Sequence, residues 1–142
     1  MPVRTANAVW EGDLRGGRGQ MKFGGGAWEG QYSFSSRFEE GPGTNPEELI
    51  AAAHAGCFSM AFSNELAKAG FTPTRVETTA KVYLDKGETG FKIGRIHLDT
   101  VGQVPGISED QFQKIAEGAK KGCPVSQLVT GAEITLNARL EK

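Results

Sequence analysis

The sequence predicts an α+β fold, and three observations predict it. Short runs of alternating apolar and polar residues open the chain, return after its middle and close it, as half-buried strands do. One long apolar segment with helix start and stop signals separates the first group from the second. A capped helical stretch, followed by a shorter one, precedes the final run. The resulting order is βββ-α-ββ-α-α-β with mostly antiparallel strands. At 142 residues the chain fits one domain, 1–142, able to bury a small core.

Residues 6–10, 20–23 and 28–34 read as the first three strands, joined by turns at Gly16-Gly17-Arg18-Gly19 and Gly24-Gly25-Gly26. The first glycine cluster lacks the GK[ST] ending and the GxGxxG spacing of a phosphate loop, so a hairpin turn is the better reading. After a loop at 39–44, Asn45 can cap a helix and Pro46 suits its first position. Glu48 completes a capping box, and Glu47 meets the positive end of the dipole. The helix should run to Ala69 and stop at Gly70. Its middle (Ala51, Ala52, Ala53, Ala55, Gly56, Cys57, Phe58, Met60, Ala61, Phe62) has almost no polar face. A helix that is apolar all round is buried all round. One small sheet covers one side only, so a second copy of the chain is expected on the other, giving a homodimer.

Residues 76–84 alternate as a strand, with a turn at 86–90. The next strand begins in one phase (Phe91, Ile93) and continues in the other (Ile96, Leu98), which predicts a β-bulge at Gly94-Arg95. Pro105-Gly106 ends it. Ser108 and Gln111 form a second capping box, opening a helix that closes at Lys120-Lys121-Gly122. A short helix begins at Pro124, and 134–140 alternates as the last strand.

Charge excludes several classes of function. Sixteen Lys and Arg face seventeen Asp and Glu, a net charge of −1, so no basic field exists to hold nucleic acid or an anionic membrane. The longest apolar stretch, 49–62, is too short to span a bilayer and contains His54 and Ser59. No apolar run follows Arg4, so no signal peptide is read and a cytoplasmic location is expected. In a reducing compartment, paired cysteines are more often catalytic than structural.

The chain has two cysteines, Cys57 on the apolar helix and Cys123 between Gly122 and Pro124. A thiol held on a rigid helix and a second on a turn suit reversible thiol chemistry. Taken singly, Cys57 also reads as a small core hydrophobe and Cys123 as a small turn residue. Their spacing is not that of CxxC, and sequence alone leaves their contact open. Cys123 occupies the N-cap of the short helix, where peptide dipoles favour a thiolate. A free thiol of pKa ~8.5 is about 3% ionised at pH 7, and lowering the pKa to ~6 raises this to about 90%. One cation within ~4–6 Å can do that. Arg37 is the candidate, with Glu47 to orient it, although a solvated strand-end Arg and a first-turn carboxylate explain the same residues. Glu47 and Cys57 lie ~15 Å apart along one straight helix. Glu47 could therefore serve a Cys57 site only from a partner chain. His54, one turn before Cys57, admits a Cys-His nucleophile or, with Cys123 and His97, a zinc site. Neither has the spacing, and a polar residue with a buried partner is the simpler reading.

The segments Thr44-Asn45-Pro46-Glu47-Glu48-Leu49-Ile50-Ala51-Ala52-Ala53-His54-Ala55, Cys57-Phe58-Ser59-Met60-Ala61 and Gly122-Cys123-Pro124-Val125-Ser126-Gln127 resemble the osmotically inducible protein C (OsmC) family. Trp10-Glu11-Gly12-Asp13, Arg37-Phe38 and Phe71-Thr72-Pro73-Thr74 resemble it too, and the related organic hydroperoxide resistance proteins share the two-cysteine plan. The resemblance spans essentially the whole chain. It implies an intertwined homodimer whose antiparallel sheets wrap long buried central helices, with active sites shared across the interface. It implies a thiol-dependent peroxidase with Cys57 as the peroxidatic and Cys123 as the resolving cysteine, and Arg37 and Glu47 as the activating pair. It further implies no metal, haem or flavin, a preference for organic hydroperoxides, and a dithiol or lipoyl-bearing reductant. On this reading Cys57 forms a sulfenic acid, Cys123 closes a disulfide, and Phe38 and Phe58 supply apolar walls for substrate. The alternative is a non-enzymatic dimeric module binding a small apolar ligand.

Overall fold

Ten of the first 49 residues are glycine, aromatic rings are frequent among them, and the local structure follows from fitting the two together. The computed structural model describes residues 2–142. The chain divides into two compact units, one ending at Leu49 and the other running from Ile50 to Lys142.

In the first unit, β1 (Asn7–Glu11), β2 (Arg18–Phe23) and β3 (Trp28–Tyr32) form an antiparallel meander. Gly19, expected in the turn, lies in β2 opposite both Trp10 and Tyr32. Those rings meet at a tilt of 51°, with centroids 5.4 Å apart. A Cβ at position 19 would lie 2.5 Å from the Tyr32 ring and 2.6 Å from that of Trp10, so glycine is what lets the aromatic pair close over the strand. The turn is anchored one step earlier by Asp13, whose carboxylate accepts from the Gly16 amide at 2.7 Å.

The third strand is shorter than the sequence suggests. It stops at Tyr32, and Phe34–Phe38 form a short helix, α1. Ser33 and Ser36 make a reciprocal capping box that ends the strand: the Ser33 hydroxyl accepts from the Ser36 amide at 3.1 Å, and the Ser36 hydroxyl from the Ser33 amide at 2.8 Å. Phe34 therefore belongs to a helix and meets Phe38 one turn on, with ring centroids 5.0 Å apart.

The long helix α2 spans Pro46–Lys68, close to the predicted limits. Asn45 caps it, accepting from the Glu48 amide at 2.8 Å. The Glu48 carboxylate accepts from the Thr44 hydroxyl at 2.7 Å. Beyond the helix, Gly70 adopts φ +94°, the left-handed C-cap conformation.

In the second unit, β4 (Arg75–Gly87), β5 (Gly90–Gln103) and β6 (Glu133–Leu140) form one sheet. The predicted bulge is present: Tyr83 faces Arg95 and Leu84 faces Ile93, leaving Gly94 as the extra residue. That shift turns Ile96 and Leu98 into the core. β4 and β5 pair antiparallel, but β6 pairs parallel with β5. The parallel pair follows from the connection, because α3 (Glu109–Gly122) and α4 (Pro124–Leu128) carry the chain back to the strand's starting end. Ser108 caps α3 as expected, accepting from the Gln111 amide at 3.2 Å.

One stripe of α2 fills this core. His54, Phe58, Phe62 and Leu66, at successive four-residue steps, are all fully buried. They pack with Ile96, Leu98, Phe112 and Ala116; Phe62 meets Phe112 edge-on at 5.2 Å. The helix is not buried all round within a single chain. Ala52, Ala53 and Gly56 are exposed, and Met60 is 77% exposed.

Candidate active site

Each half of the predicted site forms within one unit. In the second unit the two cysteines, sixty-six residues apart, bring their sulfurs to 2.9 Å, the Cys123 thiol donating to Cys57. Both are free thiols; Cys57 is half-buried and Cys123 fully buried. The local sequence explains the placement. α3 ends as the Cys123 amide bonds to the Ala119 carbonyl at 2.9 Å, and the Cys123 carbonyl then accepts the Gln127 amide at 3.0 Å to start α4. Cys123 is thus the junction of two helices, with Pro124 at the first position of the second.

The dipole argument made for Cys123 falls instead on Cys57. Cys123 makes no side-chain cap bond, whereas the Val125 backbone N–H bonds to the Cys57 sulfur and favours its thiolate. Burial and the neighbouring Cys123 thiol outweigh that donor and hold the Cys57 thiol above its ordinary value. The depressed thiol expected from the sequence is therefore not the direction found in the single chain. Desolvation of the anion dominates there.

His54 has the buried partner that was expected of it. Its Nε2 lies 2.8 Å from the Ser126 hydroxyl, and burial pushes the imidazole pKa down. His97 pairs with Thr135 and Asp99 across β5 and β6. Among the described residues no three metal-ligating side chains cluster, so a zinc site with Cys123 does not form there.

In the first unit Arg37 and Glu47 form a two-pronged pair. Arg37 Nε donates to Glu47 Oε1 at 3.0 Å and Nη2 to Oε2 at 2.9 Å. Glu47 is buried, so the charge-assisted geometry is held away from solvent on the carboxylate side. Arg37 sits in the last turn of α1 rather than at a strand end. Its guanidinium lies 5.3 Å from the Phe38 ring centroid. Arg37 and Phe38, with Trp10, Leu14, Tyr32, Ser33 and Phe34, line an apolar cavity of about 220 Å³. Phe58, expected as a second wall, has no exposed surface and belongs to the core of its own unit.

Two features escaped the sequence reading: the Val125 amide on Cys57 and the identity of the His54 partner. The second left a faint signal. His54 precedes Cys57 by three residues and Ser126 follows Cys123 by three, the spacing of one helical turn.

A family model described as OsmC-like protein matches residues 39–138. The chain is 51% identical over 139 residues to Peroxiredoxin OsmC of Escherichia coli (strain K12), covering 97% of this chain and 96% of the relative. The chain belongs to the OsmC family. Organic hydroperoxide resistance protein OhrA of Bacillus subtilis (strain 168) is a more distant relative, 33% identical over 96 residues, 66% of this chain and 65% of that one. The crystal structure of OhrB from Bacillus subtilis shares the fold at TM-score 0.75 and 25% identity, covering 96% of this chain and 98% of that one. An organic hydroperoxide resistance protein from Elizabethkingia anophelis does so at TM-score 0.76 and 25% identity, covering 99% of each. With this membership the OsmC-family chain is a cysteine-based peroxidase, and the reading of its thiols as incidental to a ligand-binding module gives way. Among the described residues no helix is long and apolar enough to cross a membrane.

Proposed function

We propose that this peroxidase reduces organic hydroperoxides to alcohols by a two-thiol cycle. The Cys57 thiolate attacks the terminal oxygen of R–O–O–H, breaking the O–O bond. The alkoxide leaves, takes a proton and departs as the alcohol, and Cys57 becomes a sulfenic acid. The Cys123 thiol then attacks that sulfur, expelling water and forming the Cys57–Cys123 disulfide. A dithiol reductant, for which a lipoyl-bearing protein is the candidate, reopens it through a mixed disulfide. The single observation that carries this reading is the 2.9 Å approach of two free thiols from distant parts of the chain.

Arg37 stabilises the thiolate and the departing alkoxide, and Glu47 aims the guanidinium. Glu47 and Cys57 lie ~15 Å apart along their helix, so the pair serves the Cys57 of a second copy of the chain. Each active site is then completed across a homodimer interface. The exposed apolar face of α2 at Ala52, Ala53, Gly56 and Met60 supports this reading. Phe38 and the cavity it lines favour an alkyl or aryl substituent. The reaction is assigned to the cytoplasm, without nucleic-acid or membrane partners and without a bound cofactor.

The test is direct. Reduced protein, an organic hydroperoxide and dihydrolipoamide are mixed, and peroxide loss is followed for wild type, Cys57→Ser and Cys123→Ser. Cys57→Ser is expected to lose turnover entirely, and peroxide loss that survives this change would end the proposal. Wild type should lose two hydrogens by mass on oxidation, while Cys123→Ser should retain added oxygen.

A further inference from the structure

A second buried couple joins α2 to α4 beside the thiols. His54 Nε2 lies 2.8 Å from Ser126 Oγ; His54 is fully buried and Ser126 is 8% exposed. His54 stands one turn before Cys57 on α2, and Ser126 three residues after Cys123. Both couples therefore bridge the same pair of segments, one turn apart.

We infer that His54 and Ser126 are positioning residues, a polar clamp that fixes α4 against α2 and so keeps Cys123 in reach of Cys57 when the disulfide closes. The inference rests on the resolving role proposed above for Cys123. Its first support is the weakness of α4 alone. A five-residue helix has too few internal bonds to hold itself, and Ser126 is its one buried residue. An apolar side chain there would be buried without fixing direction, whereas a hydrogen bond fixes distance and rotation together.

The second support is the company His54 keeps. It begins the fully buried stripe continued by Phe58, Phe62 and Leu66. An imidazole in such a row is costly unless paired, and Ser126 provides the pairing. Among the described residues Nδ1 has no hydrogen-bond partner. The neutral tautomer with the proton on Nε2 leaves only a lone pair unmatched and makes Nε2–H the donor to Ser126 Oγ. The polar bond is thus directed at the segment that carries Cys123.

Closing the disulfide requires the Cys123 sulfur to attack Cys57–SOH, forming the S–S bond as water leaves. Loss of the clamp should slow this step more than the first, which does not use the Cys123 sulfur. Single-turnover reactions with one equivalent of cumene hydroperoxide separate the two. Peroxide loss reads the first step, and the loss of two hydrogens by mass, with dimedone trapping of the sulfenic acid, reads the second. Ser126→Ala and His54→Phe should consume the first equivalent within about twofold of wild type. They should close the disulfide about tenfold more slowly and accumulate dimedone-labelled Cys57. His54→Gln, which places an amide near the Nε2 position, should recover most of the closure rate. Wild-type closure in both clamp variants, or an equal fall in both steps, would overturn the clamp. If wild type forms no Cys57–Cys123 disulfide, the resolving role of Cys123 fails instead.

Discussion

At the scale of single residues the site is governed by desolvation. Cys57 sits half-buried against another thiol, and these two facts raise its pKa despite the amide donated by Val125. Activation must come from a cation, and Arg37 is the one proposed. Arg37→Ala should cut the rate of organic hydroperoxide reduction about tenfold or more while leaving both thiols titratable by a chromogenic disulfide. An unchanged rate would remove Arg37 from the mechanism. Glu47→Gln should fall between wild type and Arg37→Ala, since the guanidinium keeps a neutral acceptor. His54 carries a pH signature of a different kind. Its pKa is lowered in the folded protein, so below about pH 6.5 the unfolded chain takes up a proton that the folded one refuses. The stability this group contributes is present above that pH and is lost as pH falls through the folded value. Denaturant midpoints measured from pH 7.5 to 5 should therefore decline more steeply for wild type than for His54→Gln. Parallel slopes would show that His54 does not titrate differently on unfolding.

At the scale of elements, α2 supplies the core stripe of the second unit. Phe62 is fully buried and touches the rings of both Phe58 and Phe112. Phe62→Ala should cost about 3–5 kcal/mol by loss of contacts and creation of a cavity, read as a lower denaturant midpoint at an unchanged slope. A loss under about 1 kcal/mol would mean that the site collapses around the missing ring. In the first unit the corresponding test is Gly19. A methyl there would press against two aromatic rings, so Gly19→Ala should separate Trp10 from Tyr32 and shift the tryptophan emission. The strand–helix boundary at Ser33 teaches a related lesson. Its capping box was present in the sequence as Ser33-Phe34-Ser35-Ser36, but the alternating aromatics just before it extended the strand pattern too far.

At the scale of the whole molecule the unresolved surface is the open face of α2. Met60 at 77% exposure, beside alanines and a glycine, is a costly arrangement in water and an economical one against a second helix. Gel filtration with light scattering should give twice the chain mass at micromolar concentration. A monomer there would contradict both the dimer and the composite site. Met60→Lys should weaken the dimer and reduce peroxidase rate together, because each site is proposed to draw on both copies.

The sequence by itself settled the elements whose signals are local: the caps at Asn45 and Ser108, the stop at Gly70, the phase switch at Gly94, and the identity of both thiols and of the Arg37–Glu47 pair as candidates. Its motifs also carried the family. Only the tertiary structure decided that β6 pairs in parallel, that the Val125 amide reaches Cys57 rather than leaving Cys123 capped, that Phe58 is core, and that His54 meets Ser126. The physical reason is range. Caps, turns and strand phase depend on neighbours within one or two turns of chain, whereas the contact of two sulfurs sixty-six residues apart depends on how three helices and a sheet pack, and no spacing rule encodes that.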